Sequence, residues 1–110
     1  MNQNSINNHE WQLITQALLD AEGYPKSEEN KKRLGYSSHE IRRLLDELLQ
    51  DHNRELSKED EQIIVNSIDG ALEYVTIDIP SLYNVSEVEL RQFKRELEER
   101  WKIRSTYKME

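Results

Sequence analysis

Apolar residues recur along this chain at spacings of three and four, the period of an α-helix, in four separate runs. Over residues 8–22, Trp11, Ile14, Leu18 and Ala21 share one face, and Gly23 with Pro25 marks the end. Over 38–51 the stripe is Ile41, Leu44, Leu45, Leu48 and Leu49, opposite Arg42, Arg43, Asp46, Glu47 and Gln50, which predicts a helix with one wet side. Over 87–104 it is Leu90, Phe93, Leu97 and Trp101. There Glu87 and Glu89 come early and Arg100, Lys102 and Arg104 late, as the helix dipole favours.

The run over 58–79 is broader. Ile64, Val65, Ile68, Ala71, Leu72, Val75 and Ile79 form a main stripe, while Ile63, Tyr74 and Ile77 lie on the far side, with small Ser67 and Gly70 between. Two apolar sides place this helix centrally or half beneath a partner, and central burial is the expected arrangement. Gly70 costs about 1 kcal/mol against alanine in a helix, which the close approach of a neighbour would offset.

Three of these helices share one starting device. Ser37 precedes Glu40, Ser57 precedes Asp60 and Ser86 precedes Glu89 by three residues. The hydroxyl can accept from an orphan amide while the acid reaches back to the cap. Asn7 with Glu10 is a weaker version. Residues 74–79 alternate and are rich in β-branched side chains, a strand signal, but no second strand candidate exists to pair with them. They are therefore read as helix, ended by Pro80, with 81–85 as a connection. The polar stretch 24–36 is either a loop or a short helix capped by Ser27 and closed by Gly35, anchored by Leu34 and the flanking tyrosines. Residues 1–7 are expected to lack structure and 105–110 to form a frayed tail. The fold expected is all-α: one small domain over 1–110, a bundle of about four helices with the third central.

Composition narrows the function classes. The 110 residues contain no cysteine, which excludes disulfides, thiolate zinc sites and cysteine nucleophiles. No apolar run approaches the roughly 20 residues of a membrane span, and the first residues lack a signal-peptide pattern, so a cytoplasmic protein without a membrane role is expected. A net charge of −7 discourages non-specific contact with nucleic acid and favours a basic partner. A homodimer is compatible with this composition.

Chemistry-bearing motifs are few. His9, His39 and His52 have no second histidine at the helical spacing of a zinc site, because Leu13 and Arg43 stand where it belongs after His9-Glu10 and His39-Glu40. The three glycines are isolated, so no phosphate loop is present. Neither catalytic residues, nor a metal, nor any other cofactor is indicated. Residues 51–60 place oxygen-bearing side chains as a damaged EF-hand calcium loop would, but lack its glycine and fall two residues short of the closing acid. Residues 30–44 resemble a helix-turn-helix, in which Ser38, His39, Arg42 and Arg43 would face the groove and Lys31, Lys32 and Arg33 the phosphates.

Acid is concentrated on the third helix, and beside it lie apolar and aromatic side chains. Ile63, Asp69, Glu73, Tyr74 and Ile77 are thus the expected docking face for a basic protein. In general organisation, and in no specific motif, the chain resembles small acidic helical immunity proteins and antitoxins that neutralise nucleases. The favoured function is a non-catalytic protein-binding regulator of that kind, which masks a basic surface. A helix-turn-helix regulator of DNA comes second, and a small helical enzyme or calcium-binding protein third.

Overall fold

The computed structural model describes residues 6–23, 27–51 and 53–108. Among the described residues six α-helices follow in order: α1 Asn8–Gly23, α2 Ser27–Leu34, α3 Ser38–Gln50, α4 Lys58–Tyr74, α5 Ile79–Tyr83 and α6 Glu87–Trp101, with a 3₁₀ turn Thr76–Asp78 before α5. No strand occurs among the described residues. The caps expected of the four long helices are made. Ser37, Ser57 and Ser86 each accept from the amide three residues on, and Glu40, Asp60 and Glu89 each accept from the cap amide. Asn7 and Glu10 do the same for α1 at 2.8 and 3.2 Å. These bonds from Ser86 hold the Glu89 carboxyl below its usual range.

Helix α4 is the inner helix. Ten of its 17 residues are buried, and α1, α2 and α6 all pack on it, while α3 packs on α1. The main stripe expected of this helix is buried throughout, as are the stripes of α1 and α6. Leu49 of α3 is the exception, at 64% exposed.

Several expectations are corrected. The third helix stops at Tyr74 rather than Ile79, and Pro80 opens a helix instead of ending one. A continuous helix through Pro80 would drive its ring against the carbonyl of residue 76 and leave that carbonyl without its donor. The β-branched run before it is also a weak helix former. Breaking at Val75 solves both problems, because proline fits the first turn of α5. Residues 27–34 form a helix, and Gly35 closes it with φ +84, while the capping side chain of Ser27 lies outside the described residues, as do Tyr24 and Pro25. At the start, Ile6 packs on the core and Asn7 caps α1, so the unstructured segment expected over 1–7 does not include them; residues 1–5 lie outside the described residues.

The largest correction is at the end of the chain. α6 stops at Trp101, short of residue 104, because Lys102 adopts a left-handed conformation (φ 57, ψ 46) that costs an L-residue about 1–2 kcal/mol. The chain thereby reverses, and residues 103–108 run back along α4 as a strap. Only 109–110 of the expected frayed tail lie outside the described residues. Gln62 Nε2 donates to the Arg104 carbonyl at 2.7 Å, Ser105 N–H to Glu98 Oε2 at 2.8 Å, and Lys108 N–H to the Arg33 carbonyl at 2.8 Å.

Asn66, fully buried, ties the strap to α2. Its Nδ2 donates to the Leu34 carbonyl at 2.7 Å and to Thr106 Oγ1 at 2.9 Å, and its Oδ1 accepts from Thr106 N–H at 2.8 Å and Gln62 Nε2 at 3.0 Å. All four hydrogen-bonding places of the amide are filled. One turn along, Gly70 lies under Leu34 and Tyr107; a methyl there would meet Leu34 Cδ2 at 3.3 Å and Tyr107 Cε1 at 3.5 Å. The close neighbour that this glycine implied is thus the strap together with α2.

Asn66→Ala should cost about 2–4 kcal/mol, since it strands the Leu34 carbonyl and the Thr106 amide at once. Urea unfolding followed by circular dichroism measures this. A loss under about 0.5 kcal/mol, the range of an ordinary surface change, would contradict the role given to Asn66.

Candidate interaction surface

The expected docking face does not form one open patch. Ile63 is buried at 4% exposure. Asp69 is paired with Lys94 of α6 at 3.0 Å, and Lys94 also lies 3.8 Å from Glu98. Glu73 accepts from the Tyr107 hydroxyl and pairs with Arg33 at 2.9 Å. Tyr74 is half-buried, with the Arg33 guanidinium 5.2 Å from its ring centre. Ile77, on the 3₁₀ turn, is the one residue of the five left mostly in solvent, at 92% exposed. The second apolar side of α4 is covered, but the cover is the protein's own α2 and strap.

The helix-turn-helix residues are dispersed in their roles. Lys31, Lys32 and His39 are exposed, and Ser38 is half-buried at the start of α3. Arg33 faces Glu73. Arg42 pairs with Glu22 at 3.2 Å and Asp46 at 3.0 Å, which raises its pKa, the hydrogen bond to Glu22 being the largest cause. Arg43 pairs with Glu47 at 3.3 Å. Three of the motif's five arginine and lysine positions, Arg33, Arg42 and Arg43, are therefore already matched to carboxylates, which weakens their pull on phosphate.

The would-be calcium loop is used otherwise. Asp51 accepts from Asn53 N–H at 3.1 Å, and Arg54 joins Glu47 at 2.9 Å to Asp60 at 3.1 Å. His52 lies outside the described residues. Among the described residues no group of three histidine, aspartate or glutamate side chains gathers as metal ligands would.

An open acidic notch lies instead between α3 and the first turns of α4. Its volume is about 170 Å³, and it is lined by Glu40, Glu47, Glu59 and Asp60 around Leu44 and Ile63, with Arg43 at the margin. Tyr36 stands beside it: burial first, then Glu59 and Glu40, raise the pKa of its hydroxyl. The helix ends dictate this gathering. Glu40 and Asp60 are held by their capping boxes, and Arg54 ties the end of α3 to the start of α4. A larger cleft of about 740 Å³ runs beside the strap, but its lining mixes Lys94, Arg95 and Arg104 with Asp69, Glu98 and Glu99.

The chain matches no protein-family model, no curated protein and no solved structure. No helix among the described residues is long and apolar enough to cross a membrane. The notch escaped the sequence reading because its acids come from two helices and were assigned one by one to caps and to a wet helix face. The strap network escaped it too, although two signals were present: Asn66, a polar residue inside an apolar run, and Tyr107, an aromatic in a polar tail.

The strap makes an alkaline prediction. Burial, and then the hydrogen bond to Glu73, push the Tyr107 pKa well above its ordinary value. The folded state therefore favours the neutral phenol. Its contribution is intact below about pH 10, the unfolded value, and is lost as pH rises further. Stability measured by urea unfolding from neutral to strongly alkaline pH should fall above that point, and Tyr107→Phe should fall less steeply than the native chain. Parallel slopes would contradict the assignment.

Proposed function

We propose that the protein is a non-catalytic binding module that masks a basic surface of another protein, built on a bundle whose four long helices are α1, α3, α4 and α6. What supports this reading is where the acid sits. Residues 40–61 carry eight acids against four bases, leaving four of the chain's seven net negative charges on about a fifth of its length. Four of those acids ring the notch, whose floor is the buried Leu44 and Ile63. A lysine or arginine side chain of a partner finds carboxylates there for its head. Charge of this kind steers encounter and selects partners more than it adds affinity. This location differs from the face expected on sequence grounds, since Asp69 and Glu73 are engaged inside the molecule.

In general organisation, and in no specific motif, the sequence resembles small acidic immunity proteins and antitoxins, and inhibition of a basic nuclease by occlusion is the form of masking such a protein would suit. The DNA-binding reading retains only Lys31, Lys32 and His39 as exposed groups of its motif that lack a carboxylate described above.

Exchanging Glu40 and Glu59 for glutamine tests the notch. Against a basic partner recovered from cells of origin at low salt, the double variant should associate about tenfold more slowly, with little change in dissociation, and the difference should shrink as salt rises. Equal association rates for the variant and the native chain would exclude the notch. Retention of duplex DNA at low salt, lost in Lys31→Ala with Lys32→Ala, would favour the helix-turn-helix reading instead.

A further inference from the structure

The strap is joined to the rest of the fold through a single residue in an unfavourable conformation. Lys102 lies in the left-handed region where helices commonly end on glycine, and the Ile103 amide closes the turn on the Glu98 carbonyl at 3.0 Å. Nothing local demands this reversal, for helical patterning and late basic residues continue to Arg104. What demands it is the groove that the strap enters. Its floor is Leu34 and Gly70, and its polar contacts come from Gln62, Asn66 and Glu73 of α4, Glu98 of α6 and the Arg33 carbonyl of α2.

These groove contacts link residues 103–108 to surfaces that a second copy would present identically. We propose that the strap is exchangeable: two copies trade residues 103–108, each strap lying in the α4 groove of the other chain, with Lys102 relaxed to an ordinary negative φ. A second copy is the occupant to which the groove is complementary by construction, because it already holds that sequence as an extended segment. The closed monomer is favoured at low concentration, since its strap is tethered beside its own groove. The exchanged dimer keeps the groove contacts and removes two left-handed turns, so it gains as concentration rises. The inference is independent of the acidic notch, whose residues belong to α3 and the start of α4.

The experiment uses the full chain and three hinges: native Lys102, Lys102→Gly and Lys102→Val. Glycine accepts the closed turn at no steric cost, whereas a β-branched side chain opposes it. Sedimentation velocity over a concentration series should show Lys102→Val dimerising roughly tenfold more tightly than the native chain, and Lys102→Gly more weakly than either. Because the chain has no cysteine, a mixture of Gln62→Cys and Arg104→Cys chains joined by a short bismaleimide reports directly whether one strap lies on the other chain. A covalent heterodimer, formed at concentrations where dimer sediments, is the expected result. Should Lys102→Val not fold, the native chain and Lys102→Gly still decide the matter through the same cross-link. The proposal is overturned if the native chain stays monomeric up to its solubility limit. It is equally overturned if a dimer forms without the 62-to-104 cross-link, or if Lys102→Gly dimerises as tightly as the native hinge.

Discussion

The carboxamide of Asn66 is the constraint on which the rest of this structure depends. An α-helix in the middle of a small domain must cover every side that carries apolar groups, and α4 has such groups almost all round. A wholly apolar cover would have left the carbonyl that ends α2 and the Thr106 amide of the returning strap without partners in a dry place. Asn66 answers both from one position, with two donors and two acceptors, and its partners permit a single orientation of the amide. Around it the packing tightens: Gly70 admits Leu34 and Tyr107, and Glu73 collects Arg33 and the Tyr107 hydroxyl. An acidic, tyrosine-bearing side of the helix that looked available for a partner is consumed by folding.

That consumption relocates the available charge. Many of the chain's acids close loops or helix starts: Glu40, Asp60 and Glu89 as caps, Asp69 against Lys94, and Glu73 inside the strap network. Where α3 and α4 meet, however, four carboxylates fall around one opening, with Arg43 and Arg54 paired to two of them, Glu47 and Asp60. Glu40 and Asp60 cap helix starts, and Glu47 and Asp60 meet arginines, yet four carboxylates against two arginines leave the opening negative. Capping needs one acid per helix start, and the connection needs one arginine. An excess of like charge at an open notch is what a basic protein surface would complement.

The strap and the notch lie on different parts of α4 and answer different physical needs. The strap is held by specific, directional bonds to a groove, and it enters that groove through a residue whose own preference is otherwise. It is thereby bound tightly by tertiary contacts and weakly by local ones, which is the combination that lets a terminal segment change hosts while keeping its groove contacts. The notch, by contrast, is built from helix starts whose capping boxes are satisfied locally, and it should persist whichever chain's strap lies in the groove.

Local signals in the sequence determined a good deal. Each long helix begins where its capping residue stands, and the apolar stripes of α1, α4 and α6 are buried as their period requires, because capping and amphipathic periodicity act within four residues along one helix. Ser37, Ser57 and Ser86 needed no tertiary partner to be read. Other features were decided only by the tertiary structure. The docking of 103–108, the match of Arg33 to Glu73 across 40 residues, and the gathering of Glu40, Glu47, Glu59 and Asp60 each join groups that no local pattern connects. Even the end of α6 belongs to this second class. Nothing near Lys102 asks the helix to stop, and it stops because bonds to Asn66, 36 to 40 residues away in sequence, repay the left-handed turn.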